Sequence, residues 1–171
     1  MERSHVSLLV DAAPPERRDE VREYIHWLLD NDEWFGIDHT FLGFMDDYEH
    51  IAALVNARIH VTPPSAKPSP FTFLDLDRNY TVYDIGCASA LQHLFFGRAK
   101  GYVGVSLGLF PEPKFFLPNC RFVRGRFSEV VGTLNIGRDA IGIANMSILY
   151  DRDTRGELDA FDKVFTRKIV L

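Results

Sequence analysis

Cysteine is nearly absent from this 171-residue chain, with Cys87 and Cys120 the only two. A lone pair supplies no disulfide framework. Neither thiol sits in a Cys/His spacing that resembles a zinc site, so no metal is expected. Scarce cysteine predicts a reducing, cytoplasmic setting. Long apolar runs are also missing. None reaches the roughly 18 residues that a transmembrane helix needs, so no membrane partner is expected. Only Val6-Ser7-Leu8-Leu9-Val10 precedes the charge at Asp11, too short a stretch for a secretory leader. Internal repeats are lacking too. What is present is an ordinary globular mixture, 46% hydrophobic and 25% charged, with enough chain to bury a core.

Charge is unevenly spread over a net of −5. Residues 1–96 carry seven basic and sixteen acidic side chains; residues 97–171 carry twelve and eight. The two halves therefore attract one another, or the second half meets an acidic partner. Composition also divides the chain. Residues 62–79 form a linker whose first nine positions, Thr62 to Pro70, hold four prolines. Such a stretch continues neither a helix nor a central strand. Residues 1–61 read as a helical N-terminal extension. Pro14-Pro15 open a segment in which Val21, Ile25, Leu28 and Leu29 recur at helical spacing, and Asp30-Asn31-Asp32 closes it. A further helix is expected between Phe41 and Arg58.

Residues 80–171 change rhythm. Short apolar runs, Val82–Ile85, Tyr102–Val105, Arg121–Val123, Ala140–Ala144 and Lys168–Leu171, alternate with helical stretches at Leu91–Phe96, Phe127–Leu134 and Asp153–Arg167. This alternation predicts an α/β fold, a doubly wound, mostly parallel five-stranded sheet of Rossmann-like kind. Ligands of such sheets lie beyond the carboxyl ends of the strands. An edge strand at Lys168–Leu171 is exposed unless covered, and a second copy of the chain pairing there is one expectation.

The stretch that carries chemistry is Tyr83-Asp84-Ile85-Gly86-Cys87-Ala88-Ser89-Ala90-Leu91-Gln92. It places an acid at a strand end, then a turn of small residues, then a helix. Small residues let a ligand approach the backbone, and the free N–H groups of a helix start suit an anionic moiety. An ordinary tight strand-to-helix turn would use the same residues. Cys87, beside a helix start, has the setting that lowers a thiol pKa, but no base accompanies it.

At these residues the chain resembles the class I S-adenosylmethionine-dependent methyltransferases. Asp84 and Gly86 match their first motif, an acid followed by alternate glycines, and Cys87 is common there. Tyr102 to Ser106 resembles the family's second strand, Arg121 to Phe127 its third, and Ala140 to Ser147 its fourth with the motif after it. The resemblance implies that S-adenosylmethionine lies over the Gly86 turn, with Asp84, Gly86, Cys87, Ala88 and Ser89 near the methionine end. Ser106, Leu107, Arg126 and Phe127 would flank the adenosine, and Asn145 would line the pocket. It also implies methyl transfer to an unidentified acceptor, catalysed mainly by alignment because the sulfonium is already activated.

The chain departs from that pattern at defined places. Ala88 and Ala90 stand where the family has glycines. Ser106 stands where an acid usually holds the ribose hydroxyls, and Arg126 where an acid often meets the adenine amino group. The sequence stops without the family's C-terminal hairpin. Asn145-Met146-Ser147 lacks the prolines and aromatic of enzymes that methylate base amino groups. A small-molecule acceptor is therefore favoured over nucleic acid, although Arg121, Arg124 and Arg126 lie close together. These departures leave open an alternative, a non-catalytic protein of the same fold acting as a binding or assembly module. A nicotinamide-binding protein is disfavoured, because Ala88 breaks the glycine pattern it requires. The histidines best placed for chemistry, His50, His60 and His93, lack a partner spacing and are assigned no catalytic role.

Overall fold

A computed structural model describes residues 3–31, 79–108, 112–144, 147–148 and 151–170. The expected helix between Phe41 and Arg58, nearly all of the 62–79 linker and Asn145 lie outside these residues. The centre is a parallel sheet. Its strands are β1 (Thr81–Ile85), β2 (Gly101–Ser106), β3 (Cys120–Arg124), β4 (Ala140–Ala144) and β5 (Lys168–Val170). They lie side by side in the order β3-β2-β1-β4-β5. Val82 pairs with Tyr102 and with Ile141, and Gly142 pairs with Lys168. The chain thus builds outward from β1 in one direction, then returns to start again on its other side.

Helices cover both faces, so the central strands are apolar on both sides. On one face lie α1 (Arg3–Ala12), α2 (Arg18–Asp30) and a 3₁₀ segment, Leu91–Phe96. Leu9, Val21, Tyr24, Ile25 and Leu28 pack there with Val82, Tyr102, Ile141 and Ile143 from the strands. The N-terminal helices are therefore one layer of the sheet's own core. On the other face lie α3 (Phe127–Val130), a 3₁₀ turn at Val131–Thr133, and α4 (Thr154–Val164). Phe127, Phe161 and Phe165 pack there with Tyr83, Ile85, Val103 and Val105.

Local sequence explains the ends of these elements. Pro15 occupies the first turn of a short 3₁₀ segment, where its missing N–H costs nothing, and α2 follows directly. Asp153 caps α4, its carboxylate accepting from the Gly156 N–H at 3.0 Å. Two of the expected helices prove shorter or tighter. Leu91–Phe96 forms 3₁₀ turns, and Phe127–Leu134 becomes a four-residue α-helix followed by a 3₁₀ turn. The glutamate of α4 explains how so short a helix persists. Glu157 is 3% exposed, and its carboxylate accepts from the Ser128 N–H at 3.2 Å and from the Ser128 hydroxyl. It satisfies an orphan donor of α3 from across the layer.

Candidate functional site

Strand order reverses between β1 and β4, and in open parallel sheets the crevice beyond the carboxyl ends at such a point is the place for a ligand. The turn leaving β1 occupies that place. Its backbone is unusual. Gly86 has φ of +79°, and two alanines also adopt positive φ, Ala88 at 46° and Ala90 at 59°. Each alanine costs about 1–2 kcal/mol in this left-handed region. Such strain persists only where the surroundings enforce it. Among the described residues three side-chain donors do so. Gln92 Nε2 donates to the Cys87 carbonyl at 3.1 Å, Tyr24 Oη to the Ser89 carbonyl at 3.3 Å, and His93 Nδ1 to the Ala90 carbonyl at 2.5 Å. At a net of about 1 kcal/mol each, these bonds are of the size needed to offset the strain.

The tautomer of His93 follows from its two partners. Nε2 accepts from the Phe116 N–H at 2.9 Å, so the proton resides on Nδ1. The ring is fully buried and stacks on Phe116. Burial lowers its pKa from 6.5 to about 4, with the bond to Ala90 working the other way. A neutral, buried, doubly bonded imidazole positions the turn and offers no base to a ligand.

Asp84 is the one charge in β1, and it is 2% exposed. Alternation along the strand turns it toward the face that holds α1 and α2, where the Tyr102 hydroxyl donates to its Oδ2. Burial raises its pKa from 3.8 to about 6, partly offset by the bonds from Tyr102 and Gln92. Asp84 therefore reaches the turn through Gln92, whose amide bonds both its carboxylate and the Cys87 carbonyl.

Several expected site residues are placed differently from one another. Gly86 and Ala88 keep partial exposure, whereas Cys87, Ser89 and Ala90 are buried. The N–H groups expected to be free are in part committed: those of Gly86 and Cys87 both donate to the Val105 carbonyl, at 2.6 and 3.2 Å. Cys87 is fully buried against Gly104, and burial pushes its thiol pKa up, contrary to the lowering expected beside a helix start. The 3₁₀ segment that follows is too short for a dipole to oppose that cost. Ser106 and the exposed Leu107 lie at the carboxyl end of β2. Arg126 Nε pairs with Asp151 at 3.3 Å. Phe127 is 1% exposed and stacks on Phe165 in the core, away from the crevice.

Tyr24, Tyr102, Ser147 and Asp151 belong to this neighbourhood and were not singled out from the sequence. Only Tyr102 left a signal, since its register opposite Val82 puts it on the same face as Asp84. Ser147 closes one side of the crevice. Its hydroxyl donates to the Ile85 carbonyl, and its Cβ lies 1.9 Å from where a side chain on Gly86 would begin.

An adenosyl sulfonium would meet the partly exposed backbone at Gly86 and Ala88, the Ser106 hydroxyl and the apolar Leu107. These suit its ribose and apolar parts. The Asp84 carboxylate is buried under the Tyr102 hydroxyl, and that of Asp151 is paired to Arg126. The turn thus offers backbone and one hydroxyl to such a ligand, while its side chains supply few strong acceptors. Among the described residues no cluster of His, Cys, Asp and Glu could hold a metal ion, and no helix is long and apolar enough to cross a membrane. Searches of family models, curated proteins and solved structures found no match to this chain.

Proposed function

We propose that the chain is a methyltransferase-fold protein that binds S-adenosylmethionine over the turn between β1 and β2 and transfers its methyl group to a small acceptor. The observation that carries this reading is the backbone of residues 86–90. Ala88 and Ala90 hold positive φ at the positions where the resembling family has glycines. Alanine at positive φ is uncommon and costly, and strain of this kind clusters at ligand sites. The strand order β3-β2-β1-β4-β5 is that of a doubly wound sheet, with its switch point beside this turn. The ligand supplies the activated methyl group; the residues of this chain bind and orient it. Asp84, itself bonded by Tyr102, holds Gln92, which in turn holds the Cys87 carbonyl, and Ser106 would meet the ribose.

The strength of binding follows from the missing carboxylates. Each lost charged contact costs roughly 1.5–3 kcal/mol. Two such losses move a micromolar site toward the millimolar range, since about 1.4 kcal/mol is tenfold. Calorimetric titration with S-adenosylmethionine and S-adenosylhomocysteine tests this, and Ser106→Asp is the informative variant. It returns a carboxylate at the half-buried end of β2, outside the two core clusters, and is expected to tighten binding by about tenfold or more. Gly86→Val is unsuitable, because its side chain would collide with Ser147 whether or not a ligand binds.

The seat of Ser147 over Gly86 and the pairing of Arg126 with Asp151 favour a second reading, a non-catalytic module of the same fold. Under it, neither ligand gives heat at millimolar concentration, and Ser106→Asp creates no binding.

A further inference from the structure

The strained turn is held by donors of two origins. Gln92 and His93 follow it directly in the chain, whereas Tyr24 reaches it from α2, 65 residues away in sequence. We propose that Tyr24 is a positioning residue that couples the N-terminal helical layer to the ligand-binding turn, so that the seat of α2 sets the affinity of the crevice. This inference rests on the turn being the ligand's seat and names how that seat is regulated.

The turn is a sprung element. Ala88 and Ala90 prefer right-handed backbone and are kept out of it. Each captured carbonyl along the turn opposes their relaxation, and the Ser89 carbonyl between the two alanines is the one that Tyr24 holds. Losing that bond therefore releases the turn at its middle. Tyr24 is itself 3% exposed and set in a small aromatic hub. Its ring meets Phe116 at 6.0 Å between centroids, and the Lys114 ammonium lies over it at 5.6 Å. The Arg17 guanidinium, at the start of α2, lies over the far partner Phe116 at 5.7 Å. Phe116 in turn stacks on His93 and donates its N–H to it. A shift of α2 thus reaches two of these donors, Tyr24 directly and His93 through Phe116. The coupling element is a packed aromatic hub set against a strained turn, a contiguous chain of contacts from α2 to the backbone of residues 88–90.

Tyr24→Phe in the full chain tests the proposal, because it deletes the hydroxyl and keeps the ring. Two amides report on the turn without any ligand. Ala90 N–H donates to the Cys87 carbonyl at 2.6 Å, and His93 N–H to the Ala90 carbonyl at 3.1 Å. Their hydrogen-exchange protection is expected to fall roughly fivefold in Tyr24→Phe, the loss of one ordinary hydrogen bond, while amides of β1 and β4 keep theirs. The dissociation constant for S-adenosylmethionine is expected to rise by a similar factor. Adding Ala88→Gly should restore both to within about twofold, since glycine takes positive φ at no steric cost and the turn then needs less holding. Unchanged exchange at Ala90 and His93, a uniform fall across the sheet, or no rescue by Ala88→Gly each overturns the coupling. If the wild-type chain binds no S-adenosylmethionine, the proposed function falls, and the exchange and rescue measurements still decide this inference.

Discussion

Replacing Asp84 by Asn separates two titrations that conceal one another in the wild-type chain. Asp84 is buried with its pKa raised from 3.8 to about 6, so the folded state binds a proton more tightly than the unfolded state does. Its contribution to stability is full below pH 4 and is lost as pH rises through 6. His93 is buried with its pKa lowered from 6.5 to about 4. Its contribution is full above pH 6.5 and is lost as pH falls toward 4. Each pH unit of displacement is worth about 1.4 kcal/mol, so each group moves stability by about 3 kcal/mol, in opposite directions and over nearly the same window. In the wild type the two changes nearly cancel between pH 7 and pH 4. In Asp84→Asn only the His93 change remains. Relative to the wild type, that variant should lose about 3 kcal/mol on going from pH 7 to pH 4. With a urea dependence of about 2 kcal/mol per molar, the midpoint gap between the two proteins shifts by about 1.5 M. Urea unfolding followed by fluorescence, at pH 7, 6, 5 and 4, measures it. The mirror variant, His93→Gln, should gain stability over the same interval. Carboxylates elsewhere affect both proteins alike and drop out of the difference. Parallel profiles for Asp84→Asn and the wild type would refute the reasoning, because they would mean that Asp84 does not titrate in its buried place.

Two further outcomes follow from close packing. A side chain at residue 142 would begin 2.5 Å from Phe165 Cδ2 and 2.8 Å from Phe161 Cε2, so Gly142→Ala should cost about 1–3 kcal/mol or more in thermal unfolding. The Cys87 thiol, fully buried with its pKa pushed up, should resist a thiol reagent at pH 7 in the native protein and react only once urea unfolds the chain. Rapid labelling of Cys87 without denaturant would show that the turn opens far more readily than its hydrogen bonds allow.

The parallel α/β core could be read from the sequence because its signals are local and repeated. Val82–Ile85 and Ala140–Ala144 are short apolar runs bounded by turn residues, and the spacing of Val21, Ile25 and Leu28 marks the helix whose buried face carries those residues. Local pattern also singled out residues 84–90 as the turn most able to receive a ligand. It did not separate Phe127 from Arg126, adjacent residues of which one enters the core and the other meets Asp151. Which side of a helix start faces a crevice depends on how the helix packs. The length of α3 was likewise not legible, because Glu157, the acceptor that satisfies its Ser128 donors, comes from a helix some thirty residues later.

Sequence alone therefore determined which segments become strands, that the strands run parallel beneath helices, and that small residues follow Asp84, since periodicity and residue size act within a few positions along the chain. Only the tertiary structure decided that the N-terminal helices form one face of the core, that the thiol of Cys87 is raised and not lowered, and that Tyr24, Gln92 and His93 hold two alanines in left-handed backbone. Burial, desolvation and hydrogen bonds across 65 residues depend on distances in space, and separation along the chain does not encode them.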